Sequence, residues 1–264
     1  MMLLIILVSV AALIVSGLTF FTGFGLGTLL LPFFLFVFPP AVAVAATAVV
    51  HLINNLFKFG LIGRHTAWRV LVQFGLPAAL TAFIGAMLLD VLTSGRPLIE
   101  YSILGRDAVI TPVKLIIGLL VIGFGLFDIF PSLHDLKIDR KWLPVGGGLS
   151  GFFGGLSGHQ GAMRSTFLVK AGLEKEAFIA TGIACSILVD VTRLSVYGAT
   201  FFASSFHTVA EGSGLSLLVA ATLAAFLGAF LGKRLLEKTT IRSIRIIIGI
   251  LMFLTGLLVA VGLV

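Results

Sequence analysis

Charge is what this chain has least of: of its 264 residues only 11% are charged, against 59% hydrophobic, and the mean hydropathy is +1.18. So few polar side chains cannot cover a water-soluble globule, which excludes a soluble enzyme or binding module. Cysteine is nearly absent as well. The single Cys185 permits neither an internal disulfide nor a cysteine metal cluster. Carboxylates number 11 in all, too few within the apolar runs to build a cation cage, so sodium coupling is disfavoured and no metal or cofactor is expected. Segments of about ten residues with alternating polarity are missing too, which excludes a β-barrel. The net charge of +7 is no nucleic-acid footprint, because Lys and Arg sit mainly in short connections between apolar runs. Met1 to Phe21 lacks a basic n-region and a small-residue cleavage site, and is expected to be structure, not a signal peptide.

What the chain does have is length in its apolar runs. They cover residues 3–38, 41–62, 68–93, 109–130, 143–169, 177–203, 214–236 and 243–264, and they exceed the roughly 18 residues that mark a membrane span. The expected fold is an all-α, polytopic integral membrane protein embedded in a lipid bilayer. The runs also repeat. GLTFFTGFGLGTLLLP (Gly17 to Pro32) is matched by GLSGFFGGLSGHQGAMRS (Gly148 to Ser165), Phe83-Ile84-Gly85-Ala86 by Phe226-Leu227-Gly228-Ala229, and Lys114-Leu-Ile-Ile-Gly118 by Arg245-Ile-Ile-Ile-Gly249, in the same order. Residues 1–131 and 143–264 therefore form two membrane repeats joined by a linker at 132–142.

The placement of basic residues sets the orientation. If residues 1–38 and 143–169 each enter the membrane, break at their glycines and return, each half keeps three full spans. Four basic connections then share the cytoplasmic side, carrying 14 of the 18 Lys and Arg, as the positive-inside rule favours. Three is odd, so the repeats are inverted relative to each other, with the linker cytoplasmic. The connection from Asp90 to Asp107 falls outside although it carries Arg96 and Arg106. Pro32 and Pro77 lie inside apolar runs, and Pro77 reads as a kink.

Three features carry candidate chemistry. The glycines at the breaks (Gly23, Gly25 and Gly27; Gly154, Gly155, Gly158 and Gly161) either pack helices closely or open a discontinuous helix whose amide ends attract an anion. His51, Asn55 and Lys58, at i, i+4 and i+7 with Asn54 beside them, line one side of an apolar helix. Ser186, Asp190 and Arg193 repeat the spacing in the second half. A charge near the bilayer centre costs about 2.5–3.5 kcal/mol even on the lenient scale, so these residues face a cavity, a partner, or, for Lys58, the membrane surface. Gly158-His159-Gln160-Gly161 with Arg164 is the most distinctive polar cluster. The resulting substrate-binding candidates are Gly25, Gly27, His51, Asn54, Asn55, Lys58, Gly158, His159, Gln160, Gly161, Arg164, Asp190 and Arg193, with no catalytic residue. Gly155-Leu156-Ser157-Gly158 also matches the GxSG motif of rhomboid intramembrane proteases, but its histidine base would have to be His159, adjacent in sequence, or His207, outside that family's helical context.

The repeated opening segments GFGLGTLLLP and GLSGHQGAMRS, each followed by a helix carrying Thr47 or Thr181, resemble the sulfite exporter TauE/SafE (TSUP) family of membrane anion transporters across nearly the whole chain. His159, Gln160 and Thr166 depart from the commoner form of the second motif. The resemblance implies a multi-pass protein of the bacterial inner membrane that exports sulfite, sulfoacetate or a similar small organosulfur anion. Independently, three cations, neutral donors and open helix ends suit an anion. The expected mechanism is alternating access about a midplane site, with His51, His159 and Asp190 available for proton coupling. An uncoupled anion channel is the alternative, and an intramembrane serine protease the third.

Overall fold

The computed structural model describes residues 2–22, 26–103, 106–130, 139–200, 214–235 and 241–264. Ten helices stand in these residues: α1 (Met2–Thr22), α2 (Leu26–Leu35), α3 (Pro40–Ile62), α4 (Trp68–Thr93), α5 (Pro112–Ile129), α6 (Leu143–Ser157), α7 (Gln160–Leu168), α8 (Lys175–Ala199), α9 (Gly214–Leu235) and α10 (Ile241–Ala260). Pro40, Pro112 and Pro144 fall in first turns, where no intrahelical amide is required. The Thr111 hydroxyl caps α5 by accepting from the Lys114 amide at 3.3 Å. Five of the helices, α3, α4, α5, α8 and α9, are long and apolar enough to cross a membrane. The last expected span is α10, 20 residues long. Large apolar side chains point outward from these helices, Leu80 at 71% exposure and Leu223 at 60% among them, as a lipid-facing belt requires.

The two short helices behave differently. At 10 and 9 residues, α2 and α7 rise only about 15 Å and 14 Å, half a bilayer core. Gly158, at φ +85°, closes α6 in the left-handed conformation that a side chain disfavours, its amide donating to the Gly154 carbonyl at 3.0 Å. The chain then folds back. The Ser150 hydroxyl donates to the Gln160 carbonyl at 2.8 Å, and a Cβ on Gly146 would lie 2.2 Å from the Phe167 ring. The α6–α7 unit is thus a hairpin in which α7 runs back along α6, and α2 packs against α1.

Glycine seams hold the long helices together. Cβ atoms on Gly147, Gly151 and Gly155 of α6 would sit 2.1, 1.9 and 2.1 Å from the carbonyl oxygens of Phe74, Ala78 and Ala82 on α4, so the backbones touch directly, the contact that drives helix association where apolar burial cannot. Gly228 and Gly232 of α9 lie in the same way on the Leu13 and Gly17 carbonyls of α1, and Gly118 and Gly125 of α5 on Gly256 and Gly249 of α10. The pairing is reciprocal: α1 runs parallel to α9 as α6 does to α4, whereas α5 and α10 are antiparallel. α3 and α8 are also antiparallel, with His51 beside Asp190 and Ala67, just past α3, bonded to Thr181.

Two local features depart from the sequence expectation. Pro77 is preceded by a π-helical turn, Leu71–Gly75, whose extra residue makes room for the ring and its missing donor. The connection after Asp90 contains an antiparallel hairpin, β1 (Ile99–Ile103) and β2 (Arg106–Ile110), pairing Tyr101 with Ala108. The Tyr101 hydroxyl donates to the Val261 carbonyl at 2.5 Å and ties this hairpin to the end of α10.

Candidate functional site

The polar stripe of α3 meets that of α8 where the hairpin tips converge. Asp190 is the hub. Its Oδ1 accepts from Gln160 Nε2 at 3.0 Å, Arg193 Nε at 3.0 Å and Arg193 Nη2 at 2.7 Å, and its Oδ2 lies 2.6 Å from His51 Nδ1. Arg193 also donates through Nη1 to the Gly154 carbonyl at 3.2 Å, in the last turn of α6 where helix-end carbonyls attract a cation. On α7, Arg164 Nη1 donates to Gln160 Oε1 at 3.2 Å and to the Ser186 hydroxyl. Asn55 sets its amide nitrogen 3.2 Å from both ring nitrogens of His51. The adjoining group on α3 faces α1: Ser16 Oγ donates to Asn54 Oδ1 at 3.3 Å, and Lys58 Nζ to the Ser16 carbonyl at 3.5 Å.

Burial is nearly complete. Lys58 is 3% exposed, Arg164 2%, and Asp190 and Arg193 0%, so Lys58 does not reach for the surface, and the site stands closed. A Cβ on Gly27, in the first turn of α2, would meet the His51 ring at 3.4 Å and the Gly158 carbonyl at 3.6 Å. α2 thereby touches both the polar stripe of α3 and the break at Gly158. Arg164 and Arg193 thus gather about Asp190, Arg164 through Gln160, and Lys58 stands in the adjoining group on α3.

The structure brings together His51, Asn55, Gln160, Arg164, Asp190 and Arg193, with Gly27 and Gly158 at the edge. Asn54 and Lys58 form the neighbouring group, and Gly161 is buried within the first turn of α7. Gly25 lies outside the described residues, as does His207. Glycines divide by role: Gly158 makes the break, whereas Gly155 packs against α4. His159 stands apart from the hub, stacked on Phe124 at 4.9 Å, with Nδ1 3.1 Å from Ser157 Oγ. The Ser157 hydroxyl donates to the Phe153 carbonyl at 3.1 Å, an acceptor that competes with the imidazole for the proton a serine nucleophile must give up.

Sequence reasoning left three participants off its site. Ser186 was legible, since it occupies the α8 stripe. So was Tyr197, whose hydroxyl donates to the Gly155 carbonyl, because it continues that stripe four residues past Arg193, whereas Ser16 lies in an apolar run with no polar stripe to mark it.

These features define a polytopic α-helical membrane protein in which the short helices α2 and α7 meet beside a buried, cation-rich cluster. The chain belongs to the sulfite exporter TauE/SafE family, whose model matches residues 5–259. It is accordingly a membrane transporter of the sulfite-exporter type, with a small anion as its cargo. No curated protein and no solved structure matches the chain.

Proposed function

We propose that this protein exports a small sulfur oxyanion or sulfonate, sulfite or sulfoacetate being representative, across the bacterial inner membrane by alternating access. Residues 1–131 and 143–264 act as oppositely oriented halves joined by a cytoplasmic linker at 132–142, and rock about the cluster between their hairpins. The antiparallel course of α3 against α8 and of α5 against α10 supports the inversion, because corresponding helices of inverted repeats run in opposite senses. The observation that carries the reading is the burial of Arg164 and Arg193 with Gln160 and Asn55 about one hub, and of Lys58 with Asn54 in the adjoining group. A sulfonate has little apolar area, so its binding must come from charge-assisted hydrogen bonds in a dehydrated site. The His51–Asp190 pair, closed at 2.6 Å, is the group through which a proton would accompany the anion.

The test is flux of sulfite, sulfate, thiosulfate and sulfoacetate into liposomes holding the purified protein, with an internal pH dye. Flux should saturate, be stimulated by a counter-anion or a pH gradient, and move protons with the anion. Linear, uncoupled flux identifies a channel instead, and failure to move any of the four defeats the reading.

A further inference from the structure

Asn54 and Lys58 stand at i and i+4 on α3, beside the His51–Asn55 pair that addresses α8 but turned toward α1. The two pairs have different partners. Asn54 turns its carbonyl oxygen to Ser16 Oγ, while its amide nitrogen, fully buried, has no hydrogen-bond partner among the described residues. A buried donor left without an acceptor costs stability and is rare in proteins. Packing does not require an amide at this place. The constant offset that pairs His51 with Ser186, Asn55 with Asp190 and Lys58 with Arg193 pairs Asn54 with Val189, which is buried and packed against Gly154. The same offset exposes a second asymmetry: the position three residues before Arg193 supplies Asp190, and the position three before Lys58 supplies the neutral Asn55.

We infer that Asn54, Lys58 and Ser16 form a distinct anion station on the α1 side of α3, in which the Asn54 amide nitrogen and the Lys58 ammonium hold one oxyanion head group. The inference rests on the transport reading above. Arg193 is then a cation already served by Asp190, and the anion's oxygens are taken by the first half of the chain. Lys58 lies seven residues beyond His51, about 10 Å along the helix, so the ammonium end of this station is displaced along α3 from the contact between His51 and Asp190.

Calorimetric titration of the purified full-length protein with sulfite and with sulfoacetate tests the station. Asn54→Val should raise Kd about tenfold and Lys58→Gln further, whereas Lys58→Arg keeps binding within about threefold, as expected for charge-assisted hydrogen bonds. The ligand-free melting temperature of Asn54→Val should stand at or above wild type, because the substitution removes an unserved donor. Wild-type Kd in both Asn54→Val and Lys58→Gln overturns the station and leaves the transport reading intact. Weaker binding with a lowered ligand-free melting temperature in Asn54→Val marks a structural amide and overturns it too. If Asn54→Val does not fold, the isosteric Asn54→Asp decides: it should remove binding, and retained binding overturns the proposal. Wild-type protein that neither binds nor moves either anion defeats the transport reading itself.

Discussion

Asp190 and Arg193 are joined by two hydrogen bonds, at 2.7 and 3.0 Å. Both are fully buried, and removing one partner leaves a charge in a low-dielectric interior, a loss of about 3–5 kcal/mol. Arg193→Met or Asp190→Asn alone should therefore lower stability markedly, while the double variant recovers most of it, because two neutral groups of similar size need no compensation. Urea unfolding of the three variants in detergent checks this, and the double variant should still fail to transport, since Gln160 and His51 lose their shared acceptor. Additive losses in the double variant would show that the pair does not act as a unit. Gln160 ties the hub to the second cation, accepting from Arg164 while donating to Asp190. Gln160→Leu, similar in volume, should leave folding largely intact and reduce flux at least tenfold, as measured in the liposome assay.

The helix pairs are set by where backbone can touch backbone. On α6 this makes a sharp contrast between neighbouring glycines. A Cβ at Gly151 would fall 1.9 Å from the Ala78 carbonyl oxygen, whereas one at Gly148 would meet nothing nearer than 3.7 Å. Gly151→Ala should thus cost about 1–3 kcal/mol or more through forced separation of α4 and α6, and Gly148→Ala should be neutral or slightly stabilising. Thermal unfolding of the two variants side by side measures the difference, and equal melting temperatures would refute the seam. The pair also explains what was legible beforehand. Long apolar runs and the repeated Gly-rich words announced the spans and the two breaks, because both follow from composition along the chain. The separate jobs of Gly155 and Gly158 were hidden, since a residue without a side chain looks the same at a helix seam and at a left-handed turn. The π turn before Pro77 and the β1–β2 hairpin escaped for a related reason: each is settled by tertiary fit, the first by packing of α4 on α6 and the second by the tie from Tyr101 to Val261. For the candidate site, the i, i+4, i+7 stripes located the right helices, but only their antiparallel docking shows that His51 meets Asp190 and not its own repeat's counterpart.

At the scale of the whole molecule, the geometry of the hairpin and of α4 fixes which connections share a side of the membrane. α7 returns along α6, so Lys141 before the hairpin and Glu174 after it must emerge together. α4 has 26 residues and rises about 39 Å, more than the hydrocarbon core, so His65 at its start and Glu100 beyond its end must emerge on opposite faces. Under the positive-inside rule, the basic residues of the linker and of the connection around Arg64 would put the first three positions in the cytoplasm. Cys185 is buried and is the chain's sole cysteine, so a Cys185→Ala background permits single cysteines to be placed at positions 65, 100, 141 and 174, all exposed. In intact spheroplasts a membrane-impermeant maleimide should label Glu100→Cys alone, and the other three should react only after the membrane is opened. Labelling of Lys141→Cys without Glu174→Cys, or the reverse, would mean that the second hairpin crosses the bilayer, and the two halves could not then close on a shared site from opposite faces. Labelling of His65→Cys together with Glu100→Cys would remove α4 as a span, and with it the odd number of crossings on which the proposed inversion of one half against the other depends.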